Sequence, residues 1–482
     1  MSARPTPPRS VVILGVPFHD LTLDETLGRI GQAVRERTPR YLATANLDFA
    51  MQASQDVELQ RILVEAEYVL CDGTPLVWAS RWLGAPLRER VAGSDLVPQL
   101  AAEAETHGWR VFILGGSPAN LAGALANLRA KHPRLVLDGF SPPVAPLLDM
   151  PHEEIAERIR VARPDILLVA FGCPKQEKWI YMHHARLGVP VSIGVGATID
   201  FLAGKFRRAP NWMCRTGTEW IFRLIQEPRR LFHRYLFDLI FFMQTLRRER
   251  RLLRAKRVPP PAGQAGQWAP LTAVVRHAWQ GDIDSAAIHH GRLPPTPSLL
   301  PGGILALDLS AVTFMDSAGI GQLVSLYRDR VRSGGQLVLF RPSAFVVKLL
   351  ATVKLDRLIP AISDPAELPR VLGRKRVSLT PATGADAVSL SLVGELTAAR
   401  TPGHARWLAS SWEAQPAARQ LVLDLSQVAF IDSSGLGLLL RAHQLVRQRS
   451  GALRLRGAGA NVRNVIKIAR LEAFFQFEDA HA

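Results

Sequence analysis

The second half of this chain is written twice. LALDLSAVTFMDSAGIGQL (Leu305 to Leu323) aligns without gaps on LVLDLSQVAFIDSSGLGLL (Leu421 to Leu439), with about twelve of nineteen positions identical at an offset of about 116. Each copy reads as a β-strand, a turn at Asp-Ser and a helix opening with small residues. Each follows a Gly-acid turn, Gly281-Asp282 or Gly394-Glu395, and each runs on into a further strand and helix. Two small α/β domains therefore occupy residues 271–368 and 377–479. The Pro/Gly-rich PPPAGQAGQWAP cannot continue a helix and separates them, as a linker over 258–270, from everything before.

In the first half, β-like apolar runs alternate with helical periods, the pattern of a parallel sheet flanked by helices. The strands predicted are Arg40 to Ala43, Tyr68 to Cys71, Arg110 to Leu114, Asp165 to Phe171 and Val191 to Ile193. Each ends in small, polar or acidic residues, where an open α/β sheet binds its ligands. Asp72, after an apolar strand and before Gly73, suits a general base if partly buried, and equally a plain Asp-Gly turn; Thr44 and Asn46 end the preceding strand. Gly115-Gly116, followed by Ser117-Pro118 and an alanine-rich helix, suits a phosphate or simply a tight βα turn. Gln176 and Glu177 open a helix after a buried strand, placed to bond a base or sugar hydroxyl or only to complement the helix dipole. No GxGxxG or Walker lysine motif occurs, which disfavours a dinucleotide oxidoreductase or a P-loop enzyme.

Three cysteines are too few for a disulfide framework or a CxxC metal site, which predicts a reducing compartment. The apolar run Val11 to Val16 is too short for a signal peptide, and Leu231 to Leu246 is too short and too charged for a span. The net charge of +17 is concentrated: Arg223 to Arg257 carries about eleven Lys or Arg against three acids, interspersed with aromatics. The segment 205–257 is open to three readings: a nucleic-acid arm, a membrane-surface helix, or part of an anionic-substrate site.

The ordered series TANLDFA, VLCDGTPLVW, RVAGSDLVPQL, FILGG, FGCPKQEKW, GVGATIDFLAGKFRRAP and EWIFRLIQEPRRLFHRYL resembles the WecG/TagA/CpsF glycosyltransferases over about residues 10 to 250. The resemblance implies a Rossmann-like α/β transferase domain (residues 1–204) with a helical basic C-terminal appendage. It also implies a metal-independent, cofactor-free, inverting transfer of an N-acetylmannosamine-like, uronic or hexose sugar. The donor implied is a UDP-sugar and the acceptor an undecaprenyl-diphosphate-linked saccharide, in cell-surface polysaccharide synthesis. Carried over, Asp72 is the base with Thr44 and Asn46 beside it. Ser94, Asp95, Gln176 and Glu177 contact the nucleotide-sugar, and Arg223, Arg230 and Arg234 close on the diphosphate; the Gly115-Gly116 turn read above is a further candidate for substrate binding. No convincing DxD motif is present, so arginines would carry the leaving-group charge. At Ala197-Thr198-Ile199-Asp200 the family's Gly-Phe-Asp-like run is altered.

The repeats resemble STAS domains, the fold of anti-sigma factor antagonists. The resemblance implies a phosphorylated second serine in DSSG, here Ser434, as the target of a serine kinase or anti-sigma-type partner; the same serine also suits a helix cap. In the first copy Ala318 replaces it, so that domain is expected to be constitutive or structural. His289-His290 reads as a solvated pair, not a metal site. The whole is expected to be a cytoplasmic enzyme, peripheral on the inner membrane face, with no nucleic-acid partner. Within the appendage, residues up to about Arg234 should close over the donor. Tyr235 to Arg257 should lie on lipid, with Phe237, Phe241 and Phe242 inserted. An inactive scaffold in a partner-switching pathway is the alternative function.

Overall fold

The computed structural model describes residues 8–205, 210, 213, 222, 225, 242–248, 250–251, 274–297, 303–368, 381–383, 387–397, 401–416, 418–469 and 471–478. The chain divides into two compact units, Met1–Pro365 and Ala366–Ala482. The first unit takes in the first repeat as well as the N-terminal α/β domain.

That domain opens with an antiparallel hairpin, β1 (Ser10–Ile13) and β2 (Val16–His19). Its sheet contains β3 (Arg40–Ala45), β4 (Tyr68–Cys71), β5 (Arg110–Gly115), β6 (Val136–Phe140), β7 (Ile166–Ala170) and β8 (Val191–Gly194). The strand order is β4-β3-β8-β7-β5-β6 and every pairing is parallel. All five predicted runs are strands. The hairpin and β6 were not expected: VLDGF carries a polar centre, and SVVI lacks the alternation of a half-buried strand. Between the strands lie α1 (Leu23–Glu36), α2 (Leu47–Gln55), α3 (Val57–Glu65), α4 (Thr74–Trp82), α5 (Gly93–His107), α6 (Pro118–Lys131), α7 (His152–Ala162), α8 (Lys175–Leu187) and α9 (Thr198–Leu202).

Side-chain alternation along the strands explains the layering. Tyr41, Ala43, Val69, Cys71, Phe112, Leu114, Leu167 and Val169 enter one core. Their neighbours Leu42, Tyr68, Leu70, Val111, Ile113, Ile166 and Leu168 enter the other. A sheet covered on both faces needs such unbroken apolar runs. Phe242 and Leu246, 4% and 3% exposed, belong to the first of these cores. Phe242 is thus packed in protein and not inserted in lipid, because its helical stretch, 242–248, lies against the transferase. Arg250 stacks over the Trp82 ring at 4.3 Å. Phe237 and Phe241 lie outside the described residues.

The first repeat contains β9 (Val274–Ile283), α10 (Ser285–His289), β10 (Ile304–Met315), α11 (Ser317–Arg332), β11 (Gln336–Phe340), α12 (Ala344–Thr352) and β12 (Ala361–Ile362), in a parallel sheet ordered β12-β11-β10-β9. It docks on the hairpin through α11. Val11 and Ile13 face the transferase core, while Val12, between them, lies in the core of the repeat together with Val64 of α3. Conversely, Ala318 of α11 belongs to the transferase core. The strand β1 is buried on both faces, which is why its sequence does not alternate. Each fully buried Val contributes about 1.5–3 kcal/mol relative to exposure.

The second unit contains β13 (Pro381–Thr383), β14 (Ala387–Leu396), α13 (Thr401–Glu413), β15 (Gln420–Ile431), α14 (Ser433–Arg447), β16 (Ala452–Arg456), α15 (Ala460–Ile468) and β17 (Gln476–Glu478). The strands run in that order across the sheet, all pairings parallel except β13 with β14. The repeated letters have repeated causes. Asp308 and Asp424 each accept a hydrogen bond from the backbone two residues on, Ser310 and Ser426 N–H, both at 2.9 Å, beside a register shift in the strand. Asp316 and Asp432 cap α11 and α14. A Cβ on Gly319 would stand 2.2 Å from Ile283 O, and one on Gly435 2.5 Å from Leu396 O, so no other residue fits there.

Candidate active site

The carboxyl ends of β3, β4, β7 and β8 converge on one edge of the sheet, near where the chain turns from winding toward β4 to winding toward β6. Thr44 ends β3 buried, its hydroxyl donating to Gly194 O at 2.9 Å. Asn46 caps α2 by accepting from Phe49 N–H at 3.2 Å. Asp72, partly buried, follows β4, its N–H bonded to Ala45 O at 3.0 Å, and so stands beside Asn46. Val91 N–H donates to Cys71 O at 2.9 Å, which brings the RVAGSD segment against the same strand end. Gly93 then opens α5 in contact with two hydroxyls: a Cβ there would lie 2.9 Å from Thr198 Oγ1 and 3.5 Å from Thr44 Oγ1.

Helix α5 has no side-chain cap among the described residues, as is also true of α4, α7, α8 and α9, whereas α1, α2, α3 and α6 are capped by Thr22, Asn46, Asp56 and Ser117. Its positive end, with Ser94 in the first turn, lies beside Thr44 and Thr198. Asp95 in the same turn pairs with Arg90 at 2.8 Å. Neither Arg90 nor Thr198 was singled out from sequence; the close approach at Gly93 identifies Thr198, and the pairing with Asp95 identifies Arg90.

Gln176 and Glu177 face inward, 1% and 3% exposed. Gln176 Oε1 accepts from Gly172 and Gly196 N–H, both at 3.1 Å, and its Nε2 donates to Glu177 Oε1 at 2.7 Å. The amide thus ties the loop after β7 to the loop after β8. A Cβ on Gly194 would lie 2.7 Å from Glu177 Oε1, so the pair is packed directly under β8. Burial raises the Glu177 pKa to about 7, hydrogen bonds from Gln176 and Cys173 opposing it.

At Gly115-Gly116 the turn itself accounts for both glycines. A Cβ on Gly115 would stand 2.6 Å from Ala170 O, and Gly116 has φ +75°. The Gly116 N–H is taken by Ala170 O at 3.1 Å. Asn120 in the first turn of α6 bonds Asp200, which sets a carboxylate where a phosphate was considered. Arg223, Arg230 and Arg234 lie outside the described residues.

The model of the glycosyl transferase WecG/TagA/CpsF family matches residues 11–256. The chain belongs to that family. It is a glycosyltransferase, and residues 272–368 and 380–482 match the STAS domain. Relatives include the N-acetylglucosaminyldiphosphoundecaprenol N-acetyl-beta-D-mannosaminyltransferases of Bacillus subtilis (strain 168), 31% identical over 39% of this chain and 72% of that protein, and of Staphylococcus aureus (strain MW2), 28% identical over 51% and 96%. The solved anti-sigma factor antagonist SpoIIAA in its unphosphorylated form is 20% identical over 21% of this chain and 87% of its own, with a TM-score of 0.19. Among the described residues no helix is long and apolar enough to cross a membrane.

Proposed function

We propose that this WecG/TagA/CpsF transferase moves a sugar from a UDP-sugar to a polyprenyl-diphosphate-linked saccharide, with inversion and without a metal. The observation that carries the reading is the meeting of Asp72, Asn46, Thr44 and the start of α5 at one strand edge. Asp72 takes the proton of the acceptor hydroxyl as that oxygen attacks the anomeric carbon and the bond to UDP breaks. The α5 terminus and Arg90, joined by Arg223, Arg230 and Arg234 of the appendage, hold the diphosphate as its charge grows. Thr44 and Thr198 hydroxyls lie beside Gly93 at the start of that helix. The relatives' names support the lipid-linked acceptor. Ser94 and Asp95 bind the donor directly, Gly115 and Gly116 form its wall, and Gln176 with Glu177 shapes the floor from beneath.

UDP release from a panel of UDP-sugars, with an undecaprenyl-diphosphate-linked acceptor and in the presence of EDTA, tests this. Donor-dependent release unaffected by chelation is expected; a folded protein without turnover on any donor would refute it.

The second STAS domain supplies the regulation in this reading. Ser434 lies in the first turn of α14, 6% exposed, beside the Asp432 cap. A phosphate there gains from the helix dipole but meets the Asp432 carboxylate, so modification opens the turn and changes the docking face. Phosphosite mapping after incubation with an anti-sigma-type serine kinase should find Ser434 and nothing at Ser317; modification of Ser317 alone would reverse the roles of the two domains.

A further inference from the structure

The interface between the first STAS domain and the transferase contains more than apolar packing. Ser10 Oγ donates to Gly321 O at 3.1 Å, and a Cβ on Gly321 would stand 2.1 Å from Ser10 O. On the other side, Gln60 Nε2 of α3 donates to Val353 O at 3.2 Å, and a Cβ on Gly15 would stand 2.2 Å from that same oxygen. Backbones meet at both places, so the two domains cannot slide past each other.

Between these points Arg328 of α11 is only 5% exposed. Its Nη1 donates to Glu67 O at 3.1 Å and to Ala66 O at 3.3 Å, and lies 2.8 Å from His19 Nε2. His19 Nδ1 in turn accepts from Val69 N–H at 2.9 Å. One turn further, Arg332 pairs with Glu67 at 2.8 Å and donates to Glu65 O at 3.2 Å. Residues 65–67 are the approach to β4, and Asp72 directly follows its end at Cys71. A guanidinium from the STAS domain thus grips the strand that delivers the proposed base, about 17 Å upstream of it at strand rise.

The grip is particular to the first repeat. At the offset of the repeat, Arg328 corresponds to Gln444 and Arg332 to Gln448, and both glutamines are exposed. The Staphylococcus aureus relative aligns over 96% of its own length with only 51% of this chain, so the added domain is not part of the shared transferase.

We propose that the first STAS domain is a resident clamp of the transferase, unavailable for partner exchange, and that Arg328 is the positioning residue through which it fixes β4 and Asp72. The kinetic part of this proposal rests on the reading of Asp72 given above; the structural part does not. The test uses the full chain as wild type, Arg328→Ala and Arg328→Lys, with hydrogen exchange of residues 66–72 and steady-state kinetics measured on each. Arg328→Ala should speed exchange across 66–72 by at least about tenfold. It should lower kcat at least about tenfold while leaving the donor KM within about twofold, as a displaced base would. Arg328→Lys keeps the charge and the stem but cannot reach two carbonyls and the imidazole together, and should fall between. Wild-type exchange and kcat in a folded Arg328→Ala chain would overturn the proposal. Should that variant fail to fold, wild-type exchange across 66–72 in Arg328→Lys would overturn it instead. If the wild-type chain shows no turnover, the functional reading fails and the exchange result alone decides the clamp.

Discussion

At the scale of single residues, Asp72 and Glu177 are two carboxyl groups with different environments. Asp72 is partly exposed at the strand edge, and Asp72→Asn should lower kcat by about 10²–10⁴-fold while donor affinity, measured by calorimetry, changes little. Unchanged turnover would place the base elsewhere. Glu177 is buried, and its folded pKa of about 7 lies above the unfolded value of 4.5. The folded state therefore holds this proton more tightly. The stability so gained is complete below about pH 4.5 and is lost as pH rises through about 7, a span worth on the order of 3 kcal/mol. Melting temperatures of wild type and Glu177→Gln across that range should converge at low pH and diverge in favour of the variant above 7. Parallel curves would show that folding leaves the Glu177 pKa unshifted. The sequence placed both carboxyl groups at strand ends but could not orient them. Whether a side chain at a helix start turns outward to a ligand or inward under a neighbouring strand depends on Gly172, Gly194 and Gly196, which come together only in the fold.

Among the elements, β1 shows where sequence reading stops. Five central strands announced themselves by apolar runs with turn residues behind them. The run Val11 to Val16 did not, because half of what buries it lies in a domain that starts near residue 274. Two-sided burial erases the alternation by which a surface hairpin is recognised. Val12→Ala should cost about 1–3 kcal/mol. Because Val12 belongs to the core of the STAS domain and its neighbours to the transferase, a calorimetric trace should show both melting together and shifting together. A shift confined to one transition would mean that the cores are separable. The appendage gives the converse lesson. Its aromatics looked lipid-facing because a helix rich in Phe and Arg suits a headgroup layer, yet Phe242 and Leu246 are core residues of the transferase. Composition cannot distinguish a protein surface from a lipid one as the partner of an apolar face.

For the molecule as a whole, the repeat at offset 116 located the two small domains, and the ordered motifs located the transferase, but neither indicated that the natural division falls at residue 365. That division changes the design of truncations. A chain ending at Arg257 leaves Val12, Val64 and the carbonyls of Ala66 and Glu67 uncovered, and should aggregate or lose activity. One ending near residue 370 keeps the clamp and should retain wild-type turnover in the UDP-release assay. Equal solubility and activity of the two would show that the first STAS domain is dispensable.

The pairing of Ser10 with Gly321 also sets an order of events. The two residues are 311 positions apart, so the hairpin leaves the ribosome long before the helix that covers it. At ordinary synthesis rates the wait is on the order of tens of seconds, with an apolar strand exposed throughout. The covering of β1 is thereby tied to translation past α11. A chain released by a ribosome that stops in the linker is expected to be a client for chaperones and proteases, not a smaller enzyme.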